Sequence, residues 1–313
     1  MTDSWRIIFM GTPEFAVPAL QALLDQRKNV VAVVTQPDRP KGRGRKLGPP
    51  PVKELAISAG LPVLQPVKVR TELVERLRPF KPDLIIVAAY GRILPANVLE
   101  LPSLGCLNIH GSLLPKYRGA APIQWAVLNG EAETGITIMQ MDPGLDTGDI
   151  LLPGKLPIAP DDTAASLFPK MAELGGRLLI EALDRLRAGN LPPQKQNDSL
   201  ATLAPPLRKE DALLDWHSSA FTLSCRIRGL DPWPLAHTTL NGKRLRPFRP
   251  EVIEQDNDAA PGTIIKADKD GLLVACSKDS LLIREVQMDG SKRMPVASFI
   301  QGHPINPGQI LGQ

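Results

Sequence analysis

The sequence predicts an α/β fold with a mostly parallel, Rossmann-like sheet and helices on both faces, followed by a small OB-like β-barrel. Three observations lead there. Through the first half, continuous apolar runs alternate with segments of helical periodicity, the pattern of strands buried on both faces and joined by crossover helices. A stretch at 190–207 is then rich in Pro, Asn and Gln and has no apolar period, which reads as a linker. Beyond it, short β-rich runs are divided by Asn241-Gly242, Lys269-Asp270-Gly271 and Asp289-Gly290, the punctuation of hairpins. At 313 residues the chain can bury two cores. The expected domains are 1–189 and 208–313.

In order, the first strand is Arg6–Met10, ended by Gly11-Thr12-Pro13, where Thr12 can cap and Pro13 can begin a helix. Phe15, Val17, Leu20 and Leu23-Leu24 recur at helical spacing. Strand Val30–Thr35, a helix around Val52–Ala59, strand Val63–Gln65, helix Thr71–Phe80 and strand Leu84–Ala88 follow. A helical turn at Pro95–Leu99, strand Gly105–His110 and helix Pro122–Asn129 come next. Gly135–Met141 and Asp149–Ile158 read as strands, and Thr163–Ala188 as a long amphipathic helix. In the C-terminal half a helix near Ser218–Arg228 precedes five strands: His237–Leu240, Lys243–Val252, Thr263–Ala267, Leu272–Ala275 and Ser280–Val286.

Composition narrows the function. No run approaches the ~20 apolar residues of a membrane span. Met1–Trp5 is polar, so no leader peptide is expected. Cys106, Cys225 and Cys276 are odd in number and widely spaced, which argues against disulfides or a zinc site and for a reducing, cytoplasmic setting. The four histidines have no metal-ligand spacing, so no metal is expected. The charge is placed unevenly. Arg39, Lys41, Arg43, Arg45 and Lys46 stand against Asp38, an excess of four that equals the formal net charge of the chain. So local a basic patch points to a polyanionic partner, with a solvated surface loop as the alternative.

The chemistry concentrates between Gly105 and Gly148. Asn108 and His110, two apart on a strand, point the same way. They sit at the carboxyl end of that strand, where open α/β sheets bind ligands. A loop with glycines at both ends follows, Gly111 to Gly119, and later the turn-dense Asp142-Pro143-Gly144-Leu145-Asp146-Thr147-Gly148, whose two aspartates could face a shared pocket. Singly, each has an ordinary structural explanation. Together they suit transfer of an acyl group to an amine. A carboxamide N–H can bind the developing oxyanion, a donor worth roughly 3–4 kcal/mol. A histidine oriented by an aspartate can move the protons. No nucleophile motif is present, and none is needed.

Asn108-Ile109-His110-Gly111-Ser112-Leu113-Leu114-Pro115 followed by Gly144-Leu145-Asp146-Thr147-Gly148 resembles the signature of the folate-dependent formyltransferases. The resemblance implies a catalytic triad of Asn108, His110 and Asp146. It implies 10-formyltetrahydrofolate as formyl donor, bound near Ser112, Leu113, Leu114 and Pro115. Its pterin pocket would fall on Val87, Ala88, Ala89, Tyr90, Gly91, Ile93 and the loop from Met141 through Asp142 to Asp146.

Within that family, Phe9–Pro13, Thr35–Pro40, Arg118–Gln124 and Asp231–Pro234 are similar to the methionyl-tRNA formyltransferases. This implies formylation of methionyl initiator tRNA for translation initiation, with a monomer as the default state. Arg39, Lys41, Arg43, Arg45 and Lys46 would then enter the acceptor arm, and Lys243, Arg244 and Arg246 of the C-terminal domain would meet its stem. Arg249 shares that hairpin, and a charge-protected sheet edge is the alternative reading. Gly11-Thr12-Pro13-Glu14 lacks the G-x-G-x-x-G pattern, which disfavours a nicotinamide oxidoreductase. A UDP-sugar formyltransferase would not need the basic segment. A non-catalytic RNA-binding relative would not need Asn108, His110 and Asp146 together.

Overall fold

The computed structural model describes residues 5–41, 46–255 and 257–312, without the side chains of Lys41 and Lys46. In chain order the elements begin β1 (Ile7–Gly11), α1 (Val17–Asp25), β2 (Val30–Val34), β3 (Arg39–Lys41), β4 (Lys46–Gly48), α2 (Pro51–Ser58) and β5 (Val63–Leu64). Next come α3 (Val69–Leu77), β6 (Leu84–Ala88), α4 (Ala96–Leu99), β7 (Cys106–His110), β8 (Arg118–Gly119) and α5 (Pro122–Leu128). Then follow β9 (Glu133–Gln140), β10 (Ile150–Pro157), α6 (Ala164–Arg187) and β11 (Leu203–Ala204). After α7 (Ala220–Gly229) the strands are β12 (Thr238–Leu240), β13 (Lys243–Ile253), β14 (Ile264–Asp268), β15 (Gly271–Ala275), β16 (Ser280–Met288) and β17 (Met294–Pro295), closed by α8 (Val296–Gly302). Two compact units emerge: one of Met1–Gly119, Thr134–Leu156 and Phe168–Ala204, the other of Ala120–Glu133, Pro157–Leu167 and Pro205–Gln313.

The first unit is built on a seven-stranded sheet ordered β10-β9-β7-β6-β1-β2-β5. β5, β2, β1, β6 and β7 pair in parallel, and β9 runs antiparallel to β7. β1 and β6 are buried along their whole length, as strands covered on both faces must be. Ile8 and Met10 of β1 pack with Ile85 and Val87 of β6 and with Leu73, Val74 and Leu77 of α3. Their sequence neighbours Ile7, Phe9 and Ile86 are equally buried, on the opposite face because side chains alternate along a strand. Burying each such side chain contributes roughly 1.5–3 kcal/mol. The chain leaves β1 toward β2 on one side, while β6 lies on the other. The carboxyl ends of β1 and β6 therefore form a topological switch point, and the crevice there is the position for a ligand.

Two local expectations change. Thr12 caps no helix: its hydroxyl donates to Tyr90 O at 3.3 Å and accepts from Gln36 N at 3.2 Å, spanning the switch point. The stretch expected as a linker is largely built into the first unit. Ile150 and Gln194 exchange backbone bonds at 2.8 Å, and β11 pairs in parallel with β8. A polar segment with no apolar period can still be ordered when its backbone and amide groups are satisfied one by one.

In the second unit the strands make a curled six-stranded antiparallel sheet, a half-barrel, in the order β12-β13-β16-β15-β14 with β17 on β16. Asn241 and Gly242 both have positive φ, 51° and 72°, as the tight turn joining β12 to β13 requires. Ser219 caps α7, its hydroxyl accepting from Thr222 N at 3.2 Å. Leu223, Ile227 and Leu230 then pack on Leu245, Leu272, Leu281 and Ile283, with Phe299 of α8 in the same core.

Candidate active site

β7 ends at the sheet's carboxyl edge beside β6 and carries Asn108 and His110 on one face. His110 is 5% exposed. Its Nε2 lies 3.0 Å from Tyr117 O. A carbonyl only accepts, so Nε2 carries the hydrogen and Nδ1 is left for other work. Nδ1 faces Asp146 Oδ2 at 3.6 Å, an ion-pair separation wider than a hydrogen bond. The half-exposed Asn108 carboxamide has no hydrogen-bond partner among the described residues. A free amide donor, an imidazole and a carboxylate thus occupy one end of the sheet. Such a set can bind a developing oxyanion and move a proton.

Asp146 is held from several directions. Its backbone is left-handed, φ 53°, a region that non-glycine residues enter at some cost. Gly119 N donates to Asp146 Oδ2 at 2.8 Å. Gln196 Nε2 donates to both Asp146 O at 2.8 Å and Gly148 O at 2.7 Å. Asp142, expected to share a pocket with Asp146, turns back into its own loop instead. Its carboxylate accepts from Gly144 N at 3.1 Å and from the Thr147 hydroxyl at 2.7 Å. Short side chains capture nearby N–H groups in this way, and the result here is a clipped turn.

The loop after β7 is tied to the sheet through Thr137, whose hydroxyl donates to Ser112 O at 2.7 Å and accepts from Leu114 N at 3.1 Å. Ser112 is fully buried, and its hydroxyl donates to Lys116 O at 2.6 Å. Leu113 and Pro115 flank the buried Leu114, and the Leu114–Pro115 bond is cis. At the end of β6, Val87 and Ala88 are buried, Ala89 has φ 45° and Gly91 φ 75°, and Ile93 is 80% exposed. Tyr90 is buried, and its hydroxyl has no partner among the described residues. Burial holds that hydroxyl above the ordinary phenol value, against the opposing charge of Arg92. Gln36 fastens this loop from behind, Nε2 donating to Tyr90 O at 2.8 Å.

Of the basic segment, Arg43 and Arg45 lie outside the described residues, as do the side chains of Lys41 and Lys46. The flanking strands β3 and β4 pair antiparallel, where an unstructured loop would also have fitted the sequence. Arg39 Nη2 donates to Gln36 Oε1 at 2.6 Å, and Lys53 pairs with Asp38 at 2.8 Å. In the C-terminal sheet Lys243 is exposed, while Arg244 and Arg246 reach Asp289 at 4.0 and 2.7 Å. Arg249 pairs with Glu285 at 3.3 Å. These arginines are partly neutralised where they stand.

Thr137 and Gln196 carry no signal in the sequence, and Gln36, inside the family-like segment Thr35–Pro40, carries none for the contact it makes. Each acts through an amide or hydroxyl that meets backbone far away in the chain, and no local pattern announces such a contact.

Among the described residues no group of three His, Cys, Asp or Glu could hold a metal ion, and no helix is long and apolar enough to cross a membrane. The sequence description of the formyl transferase family matches residues 5–183, and that of the formyl transferase C-terminal domain matches residues 206–304. A methionyl-tRNA formyltransferase of Desulfotalea psychrophila is 57% identical over 309 residues, covering 98% of this chain and 96% of that one. The methionyl-tRNA formyltransferase from Clostridium thermocellum has a similar fold, with TM-score 0.56 and 17% identity over 91% of this chain and 98% of that one. The structure of HypX from Aquifex aeolicus in complex with tetrahydrofolic acid matches at TM-score 0.64 and 21% identity. That match covers 95% of this chain and 47% of HypX, so this chain spans about half of the larger protein's length.

Proposed function

This chain belongs to the formyl transferase family, and on that premise we propose that it transfers the formyl group of 10-formyltetrahydrofolate to the α-amine of methionyl initiator tRNA. The observation that carries the chemistry is the convergence of His110 Nδ1 on Asp146 Oδ2 at 3.6 Å, beside an Asn108 amide with no partner among the described residues.

In this reading the Asn108 amide donates to the formyl oxygen as the carbon becomes four-coordinate and charge collects there, a contact stronger in the transition state than before it. The α-amine titrates near ~8, so a useful share arrives neutral at pH 7. His110 handles the second proton through Nδ1, since Nε2 is engaged by Tyr117 O. Asp146 orients the ring and balances its charge when it is protonated.

A reduced folate supplies the activated formyl group, and the residues around the switch point fit it. Val87, Tyr90 and Leu94 share one apolar cluster, and the Tyr90 hydroxyl there has no partner among the described residues. An atom of this kind is one that ordered water or a polar ligand can satisfy. Ser112 to Pro115, Ala88 to Gly91, Ile93 and the backbone at Asp142 would border that ligand. The basic residues Arg39 to Lys46, with Lys243, Arg244 and Arg246, would supply phosphate contacts to tRNA. Close likeness to methionyl-tRNA formyltransferases over the full chain supports tRNA over a sugar nucleotide as acceptor.

The test is direct. Incubated with methionyl-tRNA and 10-formyltetrahydrofolate, the protein should yield an amino acid heavier by one formyl group on mass spectrometry of the deacylated product. Unmodified methionine at high enzyme concentration would refute the reading.

A further inference from the structure

We propose that Gln196 is a positioning residue for Asp146, with Arg118 setting the orientation of its amide. The inference rests on the reaction proposed above, and it concerns a segment that the sequence marks as a mere linker.

The Arg118 guanidinium is nearly buried, its side chain 8% exposed. Nε and Nη2 both donate to Gln196 Oε1, at 3.0 and 2.8 Å, and Nη2 also reaches Asp198 at 2.7 Å. Guanidinium nitrogens only donate, so the Gln196 oxygen must face Arg118 and the NH₂ must face away. That NH₂ has two hydrogens and meets two carbonyls, Asp146 O at 2.8 Å and Gly148 O at 2.7 Å. The amide is saturated in one orientation only. A buried cation polarises the amide and strengthens both of its donations.

What the amide grips is the backbone of Asp146, left-handed at φ 53° and flanked by the turn to Gly148. An unfavourable backbone persists when its surroundings over-determine it. The next residue after Arg118 completes the grip, since Gly119 N holds the Asp146 carboxylate at 2.8 Å. β8, only two residues long, is itself seated on β11, and Thr202 Oγ1 accepts from Tyr117 N at 2.9 Å. Arg118, Gly119, Gln196 and Thr202 therefore form one frame around Asp146. None needs to touch a substrate. Displacement of a catalytic group by about 1 Å can cost about a hundredfold in rate.

Gln196→Glu separates positioning from anchoring. A glutamate keeps both bonds from Arg118, now between two ions, but has no hydrogen to donate to Asp146 O or Gly148 O and turns an oxygen toward them. We expect kcat for formyl transfer to fall at least about tenfold, with KM for methionyl-tRNA and for the folate within about twofold and the protein still folded at the assay temperature. Gln196→Met, similar in length and without donors, should lose kcat in the same way if the glutamate variant fails to fold. Wild-type kcat in the folded Gln196→Glu protein would overturn the inference. So would a variant that loses melting temperature yet keeps kcat when assayed well below it, since Gln196 would then only stabilise. A wild-type protein that forms no formylmethionyl-tRNA defeats the parent reading instead, so the two failures are told apart.

Discussion

His110 Nδ1 and Asp146 Oδ2 stand 3.6 Å apart, one at the end of β7 and the other in the loop between β9 and β10. Nothing along the chain joins them closely. They meet because β9 is hydrogen-bonded antiparallel to β7, with His110 opposite Thr137 and Leu107 opposite Gln140. β9 therefore ends level with Leu107 and Cys106, at the amino end of β7, and the loop that follows has to turn back along the sheet for Asp146 to reach His110. Register sets β9 beside β7, and the bonds from Gly119 N and Gln196 to Asp146 hold the returning loop with its carboxylate facing the ring.

Asp146→Asn keeps an oxygen that can accept from Gly119 N but removes the charge facing His110. The variant should melt within a few degrees of the parent and lose kcat by roughly two to four orders of magnitude. Steady-state kinetics beside thermal unfolding checks this. Full activity in the asparagine variant would remove the carboxylate from the chemistry.

Gly119→Ala tests the frame by steric means. Gly119 has φ +123°, and an added Cβ would come within 2.7 Å of Ala204 O, a backbone atom that cannot step aside. We expect destabilisation of roughly 1–3 kcal/mol, read as a fall in melting temperature of several degrees, together with a loss of kcat. An unchanged melting curve would show that β8 and β11 yield freely at this point.

For the basic segment, raising salt from ~50 to ~200 mM should weaken methionyl-tRNA binding at least about tenfold while leaving folate affinity nearly constant. Arg43→Ala should lower tRNA affinity and flatten the salt dependence. Titrations at several ionic strengths measure both. A response flat in salt would mean that phosphates are not what these side chains meet.

The cysteines give a pH-dependent prediction. Burial alone pushes the Cys106 thiol up to about 12, and burial is also the leading cause that pushes Cys276 to about 12. Their thiolates are therefore roughly a ten-thousandth of the population at pH 8. Native protein should resist iodoacetamide at that pH and take up label at all three free cysteines once unfolded in urea. The folded state holds these protons more tightly than the unfolded chain does. The associated stability is thus present below about pH 9 and is lost as pH rises toward 12. Rapid labelling of native Cys106 would contradict its burial.

Much of the fold was legible because burial on both faces leaves a coarse signature. Leu84–Ala88 is an unbroken apolar run between turn residues, and it is β6 to the residue. Thr163–Ala188 carries a sustained helical period, and α6 runs over Ala164–Arg187. The strands β8, β11 and β17 have two residues each, too few to show any period. At the site, Asn108, His110 and Asp146 were legible from residue type and strand-end position, whereas Gln196 was not. Its role depends on Arg118, Asp146 and Gly148 arriving from other parts of the chain. Asp142 and Asp146 look equivalent in sequence, and they part only because the Asp142 carboxylate finds Gly144 N and Thr147 within its own turn.

Asn108 and His110, in this mechanism, act on the transition state and not on binding. Single-turnover formylation by Asn108→Ala and His110→Ala, with methionyl-tRNA and folate affinities measured on the same preparations, tests it most directly. Each variant should transfer formyl about a hundredfold or more slowly than the parent, with affinities within about twofold of it. Rates that stay near the parent's, or affinities that fall in step with the rates, would contradict it.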